Sequence, residues 1–418
     1  TIVGVHVSRF PAEMKRTHVE KMLNKHHVRH PVIHDPELKL LQRFGIKTWP
    51  TQVLIDREGY IVGALSGDGK RSRLEEVIED QSRRQSKYRA ADSEDIAVSR
   101  QPEPQTALSF PGRILVSGDR IYIADSAHNQ ILVTSSQGRI TRRFGSTSPG
   151  FLDGEGLSAA FNNPQGMALR DQFLYVADEG NHAIRRINLR TEEVTTIAGT
   201  GKPGSGFGAA SSRPDAMQLN SPTDIALENG TLYIAMTGLH QIWALSLITN
   251  TIKVFSGCGQ EGLQDGQPNK AEFAQPAGLA VYGNNLYSVD AGSSAVRCID
   301  LDNGSVTTLA GVGLYEYGDQ DGTREAARLQ YPLAIEADPE HRMLWVADTY
   351  NNKIKRIGIK TRNVSSVILD RQLDQPSGLA FHSGILYIAN TNAHEVLRLS
   401  PDSGQAEPLN VTEDHAHV

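Results

Sequence analysis

The chain has 418 residues, 39% of them hydrophobic and 22% charged, and a formal net charge of −6. The length exceeds one ordinary domain, the composition is that of a globular protein, and the acidic balance opposes a phosphate-tracking surface, so nucleic acid is not an expected partner. No apolar run reaches the roughly 18 residues of a membrane-spanning helix, so no membrane insertion is expected. The first residues, Thr1 to His6, lack the basic and apolar pattern of a signal peptide. The missing initiator Met reads as a processed or cleaved chain, so compartment and oligomeric state stay open. Cys258 and Cys298 are the only cysteines. They form no Cys-x-x-Cys and no zinc spacing, and two buried free thiols are the expectation.

Residues 1–85 are expected to form an incomplete α/β unit. An apolar strand from Ile2 to Val7 precedes a helical stretch near Pro11 to Lys25. Pro31-Val32-Ile33 follows, then a helix near Glu37 to Phe44. Trp49-Pro50-Thr51 leads into an apolar strand ending at Asp56, a turn at Glu58-Gly59 and a strand from Tyr60 to Leu65. A charged amphipathic helix runs from Arg71 to Gln85. His26, His27, His30 and His34 cluster, but with no Cys and no helical pairing into a buried face they read as surface residues. Residues 86–106 are polar, end in Pro-Glu-Pro and form a linker.

From 107 to 412 one phrase recurs, with residues 413–418 left as a tail. The phrase is a Pro, an apolar segment, a turn, a run of the Leu-Tyr-Val-Ala-Asp type, a short polar turn and a third apolar strand. Its prolines are Pro111, Pro164, Pro222, Pro276, Pro332 and Pro376. A fourth strand follows, as in Glu193 to Ile197 and Ser305 to Leu309. Six units of four strands predict a six-bladed β-propeller, because a single blade cannot bury both its faces and a ring of them can. The second strand ends in Asp125, Asp178, Asp290 and Asp348, with Met236 and Asn390 at the corresponding positions of blades three and six. Four positions on come Asn129, His182, His240, Ser294, Asn352 and His394. The Asp or Asn is expected to bond backbone donors and the fourth residue to close a hairpin turn. Met236 and Asn390 break the code, which marks them as places to look for function. Glycine-rich loops join the blades, and three of them carry Asp-Gly turns at Asp153, Asp265 and Asp321. Such loops share one face, where propellers place function, so these three aspartates are candidate residues of a binding face.

The Asp-x-x-Asn-His type of turn resembles that of NHL repeats. Trp49-Pro50-Thr51 before an apolar strand, with Gly59 after it, resembles the later part of the thioredoxin superfamily. The order of both parts resembles the thioredoxin-like/NHL-repeat family, which includes NHL repeat-containing protein 2, plant suppressor of quenching and bacterial thioredoxin/NHL proteins. The resemblance implies a cis Pro50 and a substrate-contact loop of Trp49, Pro50 and Thr51. It implies redox cysteines upstream of this chain, a central sheet strand missing here, and a C-terminal β-domain in relatives that residues to Val418 do not contain.

The fold expectation is therefore mainly β: a six-bladed NHL-type propeller with an N-terminal incomplete thioredoxin-like domain. The expected function is a scaffold that binds a protein or peptide, with no catalytic residue, no metal and no cofactor in this chain. One alternative is a thiol-disulfide oxidoreductase whose Cys-x-x-Cys lies before Thr1, the propeller selecting its substrate. The other is a metal-dependent propeller lyase or hydrolase.

Overall fold

The computed structural model describes residues 2–56, 58–67, 71–85, 106–204 and 210–413. The expected linker lies outside them except for Thr106, as does the tail beyond Glu413. The chain divides into two compact units, Thr1–Pro104 and Gln105–Val418.

In the first unit, β1 (Gly4–His6) pairs in parallel with β2 (Val32–His34), and β3 (Thr51–Ile55) pairs antiparallel with β4 (Ile61–Ser66). These are two separate two-stranded sheets. A 3-10 turn (Pro11–Met14), α1 (Arg16–Lys25), α2 (Lys39–Arg43) and α3 (Arg71–Gln85) connect or follow them. Buried Asp35 fixes the start of α2, accepting the main-chain N–H groups of Lys39, Leu40 and Leu41 at 2.8, 2.8 and 3.1 Å. Among the described residues of this unit, the buried apolar side chains are Phe10 and Val19, whereas Val5, Ile33, Ile55 and Ile61 are exposed. Strands this short, each paired on one side, bury too little to form a core of their own.

The second unit is a closed ring of six consecutive blades, each a continuous stretch of chain. The innermost strands are Pro111–Ser117, Pro164–Arg170, Pro222–Glu228, Pro276–Tyr282, Ala334–Asp338 and Pro376–His382. The second strands are near-continuous apolar runs, buried on both faces between neighbouring blades, as at Phe173–Asp178 and Met343–Asp348. The third strands follow, and the outermost, such as Glu193–Ala198 and Val306–Ala310, pair with their own blade's third strand on one side and on the other meet the preceding inter-blade loop, at Gly154–Glu155 and Gly266. The turns between second and third strands lie on the same face as the loops between blades.

Each blade is stitched to its neighbour at the two residues before its Pro. The first N–H goes to the side chain that ends the same blade's second strand: Ser109 to Asp125 (2.6 Å), Asn162 to Asp178 (2.8 Å), Asn220 to the Met236 Sδ (3.3 Å), Ala274 to Asp290 (2.8 Å), Gln330 to Asp348 (2.7 Å) and Asp374 to Asn390 (2.6 Å). The second N–H reaches the previous blade. Asn163 donates to Asn129 (2.9 Å), Ser221 to His182 Nδ1 (3.0 Å), Gln275 to His240 Nδ1 (3.2 Å), Tyr331 to Ser294 (3.2 Å) and Gln375 to Asn352 (2.8 Å). Phe110 donates to His394 Nδ1 (3.2 Å), which closes the ring from the last blade to the first. All six acceptors in this second set sit in left-handed backbone, with φ from 49° to 56°. The turn-closing role expected of them is seen, and each also carries the inter-blade bond.

A histidine can accept this bond only with Nδ1 unprotonated. Burial pulls the pKa of His182 and His240 below the usual 6.5, the Glu261 charge opposing this at His240. A base whose folded pKa is depressed takes up its proton more readily when unfolded, so stability is full above the unfolded value and falls as pH drops through it. These two histidines thus contribute a loss of stability as pH drops below about 6.5, opposite in sign to the raised carboxyls of Asp178, Asp290 and Asp348. His182→Asn/His240→Asn is expected to shift the melting temperature relative to the parent upward as pH falls from 7 to 5. Asn already performs this task at Asn129 and Asn352. A melting curve as steep in the double variant as in the parent between pH 7 and 5 would sink the assignment.

Candidate functional site

Three of the inter-blade loops are built around a buried cation. Arg185 in blade two bonds Asp178 (2.8 Å), Asp153 (2.8 Å) and the carbonyl oxygens of Ala160 and Leu152. Arg297 in blade four bonds Asp265 (3.2 Å) and the carbonyls of Glu272 and Gln264, with Asp290 at 3.6 Å. Lys355 in blade five bonds Asp319 (2.7 Å) and Asp321 (2.9 Å), with Asp348 at 4.0 Å. All three side chains are fully buried. Burial pushes the carboxyls of Asp178 and Asp290 up to about 6 and that of Asp348 to about 7, against the pull of the cations and their hydrogen bonds.

The three candidate aspartates occupy equivalent places in these loops. Asp153 also accepts the N–H and hydroxyl of Thr196, Asp265 those of Thr308, and Asp321 those of Ser366. Each thereby ties a loop to the outermost strand of the blade it enters. Partial burial raises Asp265, yet the hydrogen bonds of Thr308 and the charges of Arg297 and Arg324 leave it below the usual carboxylate range. The three carboxylates are spent on the fold of the loop, and the exposed side chains of these loops include large apolar ones, Leu152 (58% exposed), Leu157 (59%) and Tyr315 (77%), among polar ones such as Glu155, Lys270 and Gln320.

The two exceptions to the Asp code have a packing cause, which corrects the expectation that they mark function. Seven residues after the Asp stand Arg185, Arg297 and Lys355. Seven after Met236 stands Trp243, and seven after Asn390 stands Leu397. Met236 is fully buried, packs in one core with Trp243 and still receives the Asn220 N–H. In blades three and six, where the cation is absent, the carboxylate is absent too and a neutral acceptor serves. Asp125 faces Leu132 without a cation but is bonded by His128 and Gln130.

Along the axis, the six innermost strands enclose a channel of about 340 Å³. Its charged lining residues are Arg113, Asp224, Glu228 and Glu336. Arg113 closes the loop-face end. Its guanidinium crosses the axis to the carbonyls of Ser377, Ala277 (3.0 Å) and Leu333 (2.7 Å), and its Nε lies 3.5 Å from Asp224. Asp224 in turn accepts the N–H groups of Ile225 (2.9 Å) and Leu279 (3.0 Å). Burial raises its carboxyl despite Arg113. Exposure of the innermost strands grows toward their far ends, so the channel opens on the face of the hairpins between first and second strands. Partly accessible through the channel but otherwise surrounded by protein, Glu336 has its carboxyl pushed up to about 8, by burial first and by the Asp224 charge second.

Sequence reasoning missed this constellation, although a signal exists. Two residues after each Pro stand Gly166, Gly278, Ala334 and Gly378, but also Arg113 and Asp224. Four after it stand Ala168, Ala226, Ala280 and Ala380, with Leu115 and Glu336 as exceptions. The glycines are needed for close approach: a Cβ on Gly166 would lie 2.2 Å from Asp224 Oδ1.

Elsewhere, the Trp49–Pro50 bond is cis, Trp49 is 55% exposed, the Pro50 carbonyl accepts the Gly67 N–H, and Thr51 hydrogen-bonds Thr48 and Ser66. Cys258 and Cys298 are free and half-buried rather than fully buried. Among the described residues no group of three or more His, Cys, Asp or Glu is placed to hold a metal ion, and no helix is long and apolar enough to cross a membrane.

A family model of the NHL repeat matches residues 161–187, from the end of one inter-blade loop through the third strand of blade two. NHL repeat-containing protein 2 of Bos taurus is 33% identical over 444 residues, covering 94% of this chain and 61% of its own length. Protein SUPPRESSOR OF QUENCHING 1, chloroplastic, of Arabidopsis thaliana is 33% identical over 440 residues, covering 97% of this chain and 41% of its own length. The chain thus spans less than two thirds of these relatives. Among solved structures, a streptogramin B lyase covers 75% of the chain at 14% identity with a TM-score of 0.48.

The buried pairs generate a stability test. Arg185→Leu leaves Asp178 buried without its cation and is expected to cost about 3–5 kcal/mol. Adding Asp178→Asn, which copies the Asn390/Leu397 pair of blade six, is expected to recover more than half of that loss. Denaturant unfolding of both variants measures it, and a double variant no more stable than Arg185→Leu would refute the pairing rule.

Proposed function

This chain is an NHL-repeat β-propeller protein, and on that footing we propose that it is a binding scaffold whose inter-blade loop face holds a protein or peptide. One observation carries this reading. The loop aspartates Asp153, Asp265 and Asp321 are engaged in holding the loops, and beside them three large apolar side chains stand exposed on the same face. Leu152 and Leu157 stand in the loop before blade two and Tyr315 in the loop before blade five. Rigid backbone with outward apolar anchors is what a protein interface needs, because little ordering entropy is lost on binding.

The first unit is, in our reading, a thioredoxin-like module that lacks redox cysteines in this chain. The order of its elements and its separate strand pairs with exposed apolar faces support this: β1 and β3 each leave one edge where a further strand would fit. Trp49, Pro50 and Thr51 would form its contact surface, and thiol-disulfide exchange there would need cysteines that residues 1–85 do not contain.

The test is photo-crosslinking from position 315 followed by capture with loop variants. Leu152→Ser, Leu157→Ser and Tyr315→Ser together are expected to weaken retention of the crosslinked partner at least tenfold, the scale of losing about 1.4 kcal/mol or more of anchor contact. Ile248→Ser is the control, an equally exposed residue in a hairpin of the opposite face. Retention that ignores the loop variants, or responds equally to Ile248→Ser, counts against the loop face.

A further inference from the structure

We propose that the axial channel is a receptor for one organic cation, a guanidinium or primary ammonium group of the kind an Arg or Lys side chain presents, held by Glu336 and Asp224 above the Arg113 floor. The proposal rests on the reading of this chain as a binding protein and adds a second site to it, on the face opposite the inter-blade loops.

The charge inventory comes first. Three carboxyl groups and one guanidinium line the channel. The guanidinium is engaged, its NH1 and NH2 groups donating to main-chain carbonyls of Ser377, Ala277 and Leu333. Asp224 is served by Arg113 and two N–H groups. Glu336 faces the Phe381 N–H and the like charge of Asp224, and among the described residues it forms no ion pair. A carboxyl enclosed by protein with no cation beside it is costly to ionise. It holds a proton at neutral pH for that reason, and a cation entering the channel would take that proton's place.

The break in repeat symmetry is the independent observation. At the Glu336 level the other blades carry Ala168, Ala226, Ala280 and Ala380, and Leu115. Small side chains on four walls hollow the space into which one acid projects. A packing role would fill that space rather than leave about 340 Å³ open to the hairpin face.

The identity of the cation follows from the acceptors. Innermost strands turn an unpaired backbone edge to the axis, and the carbonyls of three of them already bind the Arg113 guanidinium. A second planar or ammonium cation would find the same kind of acceptor plus the carboxyls. A metal ion is disfavoured, because no set of three ligand side chains is assembled among the described residues. An anion would meet three carboxyls. The volume admits a side chain or small amine, not a folded segment.

Binding is therefore coupled to loss of the Glu336 proton. Arg113, Asp224 and Glu228 are the other charged groups that line the channel with it. With the free carboxyl near 8, the ionised fraction rises about eightfold between pH 7 and 8.5, and affinity rises with it.

The test titrates the full chain with methylguanidinium and with n-butylammonium, by calorimetry in two buffers of different ionisation heat. Carbon-13 detection of the Glu336 carboxyl accompanies the titration. The expected result is saturable one-to-one binding, release of close to one proton at pH 7, a shift of the Glu336 carboxyl signal, and about eightfold tighter binding at pH 8.5. Glu336→Gln is expected to weaken binding at least tenfold and to abolish its pH dependence. The carboxyl signal of the unmodified chain reports even if that variant misfolds. No saturation at pH 8.5, a Glu336 signal indifferent to the probes, or calcium binding more tightly than methylguanidinium would overturn the proposal. Should these fail while the loop-face variants still abolish capture, the channel site falls and the scaffold reading stands. Should both fail, both fall.

Discussion

The propeller depends on a pair of consecutive main-chain N–H groups in front of each blade's first Pro. The residue immediately before that Pro is held in left-handed backbone in all six blades: Phe110, Asn163, Ser221, Gln275, Tyr331 and Gln375 have φ between 46° and 64°. None of them is glycine, and a residue before Pro is further restricted by the ring that follows. Such a conformation costs on the order of 1–3 kcal/mol and persists only where the surroundings fix it. Here they do. One N–H is anchored within the blade and the next is anchored to the previous blade, so the chain must turn sharply between them. That turn sets the entry of the innermost strand and hence the rotation of each blade about the axis. It also explains the glycine after the outermost strand, as at Gly199 (φ 97°), where a Cβ would stand 2.4 Å from the carbonyl of His182 in the turn that carries the inter-blade acceptor.

Much of this architecture was legible because its signals are local and repeated. The prolines, the apolar second strands and the residue four places after the Asp all recur within one blade length, and repetition separates geometry from accident. The partner of the Asp was not legible, since it lies 16 residues upstream, as in Asn162 to Asp178, with the innermost strand and its hairpin between them. Met236 and Asn390 were misjudged for a related reason. Their meaning depends on whether position seven on is Arg or Lys, or instead Trp or Leu, a comparison across two strands of one blade. The same kind of comparison, two and four residues after each Pro, would have singled out Arg113, Asp224 and Glu336. In the first unit the element order matched expectation, but nothing in the sequence says that its strand pairs stand as separate sheets.

Polarity is distributed accordingly. On the loop face, three cations are sunk beneath the surface and paired with carboxylates that double as loop staples, while Leu152, Leu157 and Tyr315 stand exposed among polar neighbours. At the axis the one cation among the described lining residues is used as a stopper, and acid is left in excess on the side that opens. The two faces therefore offer different chemistry to anything that approaches, and the Arg113 guanidinium is the partition between them.

Blade continuity has a mechanical consequence. Among the described residues the four strands of each blade come from one stretch of chain, and five of the six joints carry a covalent loop while the joint from blade six to blade one does not. That seam is held by the Phe110–His394 bond, by Thr391 and Ser377 against the Pro111 and Gly112 carbonyls, and by Thr412 lying along Gly138 and Ile140. Tension applied through the two ends of the propeller loads this seam in shear before any sheet is strained. A single nick in an inter-blade loop, by contrast, severs one link while every blade keeps all of its strands. The ring is thus a molecule with one preferred line of opening, set by where its chain enters and leaves.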